Sequence, residues 1–431
     1  MKKNPKMIIY NIFPLLAGKF TDWDRHFKKA SEMGFNWIFL NPIQYPGSSG
    51  SLYSISDYFR FNPLFVDERS KKSPEKQVKE MVSCAKRHGL KVMIDLVINH
   101  CSFDSDLTRE HPEWFQWKRG RVVHPFCMSN GKKVIWRDLA KFNVSRTKDP
   151  EGLLKFFTEV ISFLTDLGFE GFRCDAAYQL PGKLWERLIK RTKRKKTGVI
   201  FLAETLGCTA DQTISTARAG FDYIFNSSRW WNFKGHWLMG QYDLTREIAP
   251  SISFPESHDT TRLMKDVRGN INGLKQRYLF SALFSSGVMM PMGFEFGFRK
   301  NPHVVKTRPD DWEETDIDLS WFIEKVNDIK GRYSVFQEEA PTEIIQCSNP
   351  NILILWKGST TSKDEALIVL NKDISNMQYF FAENMREFVL AGAPLKDVSP
   401  EYPVEFIAEP FNYTLNPGQG LVYVTKRDIG R

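Results

Sequence analysis

No stretch of this 431-residue sequence approaches the length of a membrane span, which takes about 20 apolar residues. No membrane partner is expected. The six cysteines (Cys84, Cys101, Cys127, Cys174, Cys208 and Cys347) include no C-x-x-C pair, so the spacing gives no zinc site. Scattered cysteines in a chain of this size read as free thiols in a reducing compartment. The opening segment, MKKNPKMIIYNIFP, has only a short apolar run, broken by Asn11 and Pro14. It reads as a first strand rather than a signal peptide, and a cytoplasmic protein is the expectation. There is no internal repeat, no low-complexity tract and no recognised nucleic-acid-binding motif. The net charge of +9 is spread along the chain, and its densest run, Lys190 to Lys196, falls where a helix should end. There it complements the helix dipole, so no nucleic-acid partner is expected.

What is present is a chain that is 42% hydrophobic, enough for a substantial core. Its length predicts a large domain plus a smaller one. Eight short apolar runs read as buried parallel strands: 7–12, 36–41, 91–98, 170–175, 199–204, 221–225, 251–255 and 287–292. Amphipathic stretches fill the gaps. Thr21 is placed to cap a helix that stops at Gly34, Ser73-Pro74 opens one that stops at Gly89, and Asp149-Pro150 opens one that stops at Gly168. Eight strands, each followed by a helix pattern, predict a (β/α)8 TIM barrel. A doubly wound sheet is the alternative, and acids at the strand ends favour the barrel. Residues 101–141 hold Trp114, Trp117 and Trp136 without a helix pattern, and read as a short subdomain protruding after the third strand. Beyond about residue 335 short runs at 352–356, 367–370, 388–390 and 420–424 predict a C-terminal antiparallel β-domain. The expected division is a barrel over 1–335, with 101–141 inserted, and a β-domain over 336–431.

Barrel enzymes place reacting groups at the C-terminal ends of strands. Four strand ends here are polar: Asp95 to His100, Arg173 to Asp175, Glu204, and Glu256 to Asp259. Each alone has an ordinary explanation, such as a turn-forming Asp, a lysine-paired Glu or a structural histidine. Four together, in order, form a constellation. Retaining cleavage of a glycosidic bond needs two carboxyls roughly 5–5.5 Å apart, one nucleophilic and one protonated. Asp175 has the cationic Arg173 two residues away. Glu204 follows Phe201, Leu202 and Ala203, apolar surroundings that favour a protonated general acid. Asp259 supplies a third carboxylate, and His100 and His258 can donate to sugar hydroxyls.

These segments resemble the four sequence regions of the α-amylase clan, glycoside hydrolase family 13. D-x-x-x-N-H matches Asp95 to His100, G-F-R-x-D-A-A matches Gly171 to Ala177, a strand-end Glu matches Glu204, and the H-D pair matches His258 and Asp259. The resemblance spans the whole barrel. It implies Asp175 as nucleophile, Glu204 as acid/base and Asp259 as transition-state stabiliser. It also implies substrate binding by Tyr53, Asp57, His100, Arg173, His258 and Arg262. The implied substrate is an α-glucan or maltooligosaccharide.

Departures narrow the resemblance. Many amylases have Lys-His after D-A-A, whereas this chain has Tyr178-Gln179. The family's usual calcium-binding Asp in the protrusion has no clear counterpart, and Asn99 alone matches a calcium ligand. No metal and no cofactor are expected. Residues 101–117 and Leu180 to Trp185 are similar to maltosyltransferases that use maltose 1-phosphate. Three readings follow: an α-amylase-type hydrolase of α-1,4-glucosidic bonds, an α-glucan glycosyltransferase, and a carbohydrate-binding pseudoenzyme. The last is disfavoured by the full set of acids.

Overall fold

The computed structural model describes residues 6–129, 132–391 and 394–427. Eight parallel strands close a barrel: β1 Met7–Ile12, β2 Trp37–Leu40, β3 Lys91–Leu96, β4 Gly171–Cys174, β5 Ile200–Ala203, β6 Tyr223–Phe225, β7 Ser251–Ser253 and β8 Gly287–Pro291. All eight expected runs are strands, and each pairs with its neighbours in chain order, β8 closing on β1. The strands are apolar on both faces for a structural reason. Inward side chains such as Met7, Ile9, Trp37, Phe39, Met93, Leu202 and Phe225 fill the barrel, while outward ones pack on the surrounding helices. Gly171 sits at a tight point of this interior. A Cβ there would lie 3.1 Å from Met93 Cβ and 3.2 Å from the Ile200 carbonyl.

A helix follows each strand: α1 Asp24–Glu32, α2 Pro74–Arg87, α3 Pro150–Asp166, α4 Gly182–Lys195, α5 Ala210–Ala217, α6 Trp237–Thr245, α7 Ile271–Phe284 and α8 Ser320–Arg332. Ser73 and Asp149 cap α2 and α3 as expected, accepting from the Lys76 and Gly152 amides. Gly89 and Gly168 follow these helices at positive φ, where a side chain would be strained. The expected Thr21 cap is not made. Thr21 lies in a 3-10 turn, Phe20–Asp22, and α1 begins at Asp24. Burial of Phe20 and a hydrogen bond from Trp23 Nε1 to the Gly18 carbonyl hold the chain in that turn.

The protrusion after β3 is built from short antiparallel pairs. His100–Ser102 pairs with Leu139–Lys141, and two hairpins lie between them. Trp114 is buried, stacked on His111 at 3.8 Å, and its indole N–H meets Asp149, the cap of α3. It is therefore a packing residue, whereas Trp117 and Trp136 are exposed.

Beyond α8 an antiparallel sheet forms from β9 Thr342–Ile345, β10 Ile352–Gly358, β11 Asp364–Asn371, β12 Lys396–Asp397 and β13 Gly420–Lys426, in the order β9-β10-β11-β13-β12. Period-two alternation divides its side chains. Leu353, Leu355, Ile368 and Val422 join the barrel core, whereas Ile354, Leu367, Val369 and Tyr423 pack with Phe380 and Phe411 of a second, two-stranded sheet. The expected run 388–390 is not a strand. Met385–Phe388 is a 3-10 turn led by the Asn384 side chain, and Leu390 is exposed. Among the described residues no helix is long and apolar enough to cross a membrane.

Candidate active site

The polar strand ends converge on one guanidinium. Arg173, on β4, is almost fully buried, and its Nη1 lies 2.8 and 2.9 Å from the two Asp95 oxygens. The same nitrogen donates to Asp175 Oδ1 at 2.8 Å, and Nη2 lies 3.3 Å from Glu204 Oε2. β3, β4 and β5 thus each hand one carboxylate to a single cation. Burial works against the charge on Arg173, but Asp95 and Glu204 more than compensate and raise its pKa well above the ordinary value.

The chain turns sharply after Asp175. Ala176 adopts left-handed backbone angles, φ 40° and ψ 45°, which cost a non-glycine residue on the order of 1 kcal/mol. The turn aims the Ala176 amide at Glu204 Oε2, 2.6 Å away. It is supported from outside by Trp185, whose indole N–H donates to the Ala177 carbonyl. Glu204 is 13% exposed, and burial lifts its carboxyl to about 7; Arg173 opposes the rise, and Asp175 and Asp259 add to it. Asp95 is fully enclosed and pushed up to about 6, again by burial against the pull of Arg173.

A second group stands opposite. Tyr53 donates its hydroxyl proton to Asp95 Oδ2 at 2.6 Å, accepts from Asn41 Nδ2 at 2.9 Å, and lies 2.7 Å from His258 Nε2. Its ring stacks parallel to His258. His258 Nε2 also lies 3.0 Å from Asp259 Oδ2. Burial lowers the His258 pKa, but the charge and hydrogen bond of Asp259 outweigh it, and the net shift is upward. Crowding by the cleft walls opposes ionisation of Asp259. The neighbouring imidazole wins, and its carboxyl is held well below the usual range. Asp259 nonetheless keeps 59% of its side chain exposed, so it is the acid that faces the open cleft. His100 is buried, with its Nε2 on the Tyr53 carbonyl at 3.1 Å.

Seven of the nine expected residues are therefore linked: Asp175, Glu204, Asp259, Tyr53, His100, Arg173 and His258. Two stand apart among the described contacts. Asp57 lies on the strand Ile55–Phe61, opposite Tyr45, and its carboxylate caps the Phe59 amide at 2.8 Å. Arg262 is buried, with Nη1 on Glu256 Oε1 at 2.7 Å and Nε on the Lys300 carbonyl. Its guanidinium is committed to a buried ion pair within the loop after β7 and, through the Lys300 carbonyl, to the loop after β8. Two residues not singled out from sequence belong to the group. Asn11 donates to Asn41 Oδ1 at 3.0 Å, and Asn41 in turn holds Tyr53. Both follow the rule that found Asp95, a polar residue closing an apolar strand. Trp230, in the loop after β6, stands edge-on to Phe254 and is 52% exposed, offering a flat apolar face near the strand ends.

The position matching the family's calcium ligand is Asn99, whose side-chain oxygen is buried without a partner. The cavity beside it is lined by Gln116, Lys141, Asn143, Ser145, Arg146 and Gln179, with no carboxylate among the described residues. Two cations and no acid do not fit a hard dication that takes six to eight oxygen ligands. Calcium enters no step of the chemistry.

A closed (β/α)8 barrel whose strand ends bring together four carboxylates, two histidines and a tyrosine about one arginine defines a candidate carbohydrate-active site. Residues 4–116 match the family model described as glycogen debranching enzyme, glucanotransferase domain. An α-1,4-glucan:maltose-1-phosphate maltosyltransferase of Burkholderia pseudomallei is 22% identical over 84% of this chain and 32% of its own length. The α-amylase MalA of Haloarcula japonica is 23% identical over 79% of this chain and 50% of its own. The chain thus spans half or less of the length of these two relatives. An α-amylase of Geobacillus thermoleovorans, solved with acarbose, superposes with a TM-score of 0.78 at 16% identity, covering 98% of both chains. The maltogenic α-amylase AmyB of Thermotoga neapolitana gives 0.78 at 20% identity over 99% of both. The chain is similar to members of the α-amylase clan, glycoside hydrolase family 13, in sequence and shares their barrel fold.

Proposed function

We propose that the protein is a retaining enzyme acting on α-1,4-glucosidic bonds of an α-glucan or maltooligosaccharide through a covalent glycosyl-enzyme. The observation that supports this most is the pairing of Asp175 and Glu204 on one guanidinium, with Glu204 lifted to about 7. Asp175 attacks the anomeric carbon while Glu204 gives its proton to the departing glycosidic oxygen. The bond to the leaving sugar breaks as the Asp175 ester forms. Glu204, now ionised, takes a proton from the acceptor, whose oxygen attacks the same carbon and frees Asp175. Asp259, exposed to the cleft beside His258, accepts hydrogen bonds from hydroxyls of the distorted ring and stabilises the oxocarbenium-like charge.

With water as acceptor the reaction is hydrolysis of the α-amylase type, which is the first reading. With a sugar hydroxyl or phosphate as acceptor it is transfer. The second reading is favoured by one observation: several of the relatives similar to this chain are named maltosyltransferases, and the matching family model is named for a glucanotransferase domain. The full set of acids disfavours a pseudoenzyme that only binds carbohydrate. The test is product analysis after incubation with maltooligosaccharides, with and without inorganic phosphate. Shorter sugars alone support hydrolysis, and longer chains or sugar phosphates support transfer. Intact substrate under all conditions contradicts the proposal.

A further inference from the structure

On the outside of the barrel, α1 and α2 bring together three side chains of different chemistry. Asp24 opens α1. Cys84 and His88 lie four residues apart at the end of α2, on one helical face. The Cys84 thiol donates to Asp24 Oδ1 at 2.9 Å, and His88 Nε2 meets the same oxygen at 2.9 Å. All three donor atoms lie within 4.8 Å of one another. The Ser31 hydroxyl on α1 donates to the His88 carbonyl at 2.8 Å, so the end of α2 is already docked on α1.

We propose that Asp24, Cys84 and His88 form a zinc-binding site that clamps α1 to α2, with solvent as the fourth ligand. The donor set is one sulfur, one nitrogen and one oxygen, which suits zinc rather than calcium or magnesium. Zinc bonds of roughly 2.0–2.3 Å in a tetrahedron put neighbouring donor atoms about 3.3–3.6 Å apart. The present 2.9 Å contacts need to open by about half an ångström, within the reach of side-chain rotation. On binding, the thiol proton leaves to solvent, and zinc accepts the thiolate, the Asp24 carboxylate and the neutral imidazole lone pair. Two negative ligands then balance the dication. Arg87 is the opposing cation beside Asp24 and hydrogen-bonds Cys84; being exposed, it has to turn outward when zinc binds. C-x-x-C spacing misses this set because its ligands follow Cys-x-x-x-His, with the acid sixty residues earlier.

The ordinary reading is a hydrogen-bonded cluster in which Asp24 merely favours the positive end of α1. Titration of the tag-free, full-length protein separates the two, with zinc read by calorimetry and cobalt by absorption. The expected result is one equivalent bound and a near-ultraviolet thiolate-to-cobalt band that Cys84→Ser abolishes. Cys84→Ser and His88→Gln should each weaken zinc binding by at least about 100-fold, with circular dichroism and turnover unchanged. Absence of saturable binding overturns the site. So does a band or an affinity that Cys84→Ser leaves intact.

Discussion

Replacing Glu204 with Gln keeps the shape and the acceptor oxygen that meets the Ala176 amide, and removes only the titrating proton. Two effects of opposite sign follow. The first is catalytic. A positioned general acid contributes on the order of 10²- to 10⁴-fold, so kcat/KM on an oligosaccharide should fall by about that factor. A substrate whose leaving group needs no proton, such as an α-glucosyl fluoride, should form the Asp175 ester almost as fast as before. That ester should then persist, because the base for the second step is gone, and added azide should release it as the glycosyl azide. The pH profile gives a further check. Glu204 works protonated, so wild-type kcat/KM is present below about 7 and lost as pH rises through that value; the variant should lack this limb. The second effect is on stability. Burial raises the folded-state pKa above the ordinary 4.5. The protonated acid is therefore tolerated at low pH, and the cost of ionising it grows from about 4.5 to about 7. At about 1.4 kcal/mol per pH unit, this costs the folded state on the order of 3–4 kcal/mol above pH 7. Denaturant unfolding at pH 8 should find Glu204→Gln more stable than wild type, with the difference fading near pH 4. A variant that loses both substrate types equally, or is less stable at pH 8, would refute the reasoning.

Asp259→Asn should reverse the displacement of His258. With Asp259 present the imidazole titrates above the ordinary 6.5, and without it burial is opposed only by the more distant Asp95, so it should titrate below 6.5, as read by NMR of the ring protons. Arg262→Ala strands the buried Glu256 carboxylate and should cost about 3–5 kcal/mol in urea unfolding. Because Arg262 is spent on that pair, KM for short maltooligosaccharides should change less than twofold where the variant is folded; a large KM effect at unchanged stability would return Arg262 to the substrate site.

The barrel was legible because buried parallel strands leave a strong mark, a continuous apolar run ending in a polar residue. Asp95, Asp175, Glu204 and Asp259 were found by that rule, and Asn11 and Asn41 obey it equally but carry no charge to draw attention. Two elements differ from expectation for local reasons. Thr21 has the chemistry of a helix cap, yet burial of Phe20 and the Trp23 contact to Gly18 shift the helix start by two residues. Phe388 to Leu390 is apolar enough for a strand, but Asn384 caps a 3-10 turn across it. Asp57 and Arg262 lie close in sequence to site residues, and which way their side chains turn depends on tertiary partners, the Phe59 amide and Glu256. The left-handed turn at Ala176 has no signature in sequence at all, since alanine rarely adopts it.

The central claim is a covalent sugar ester on Asp175. A fluorinated α-glucosyl fluoride that forms this ester faster than it loses it should add one glycosyl mass to the intact protein. Digestion and fragmentation should then place that mass on Asp175 alone. Label on Glu204 or Asp259, or turnover of the reagent with no adduct at any time point, would contradict the account.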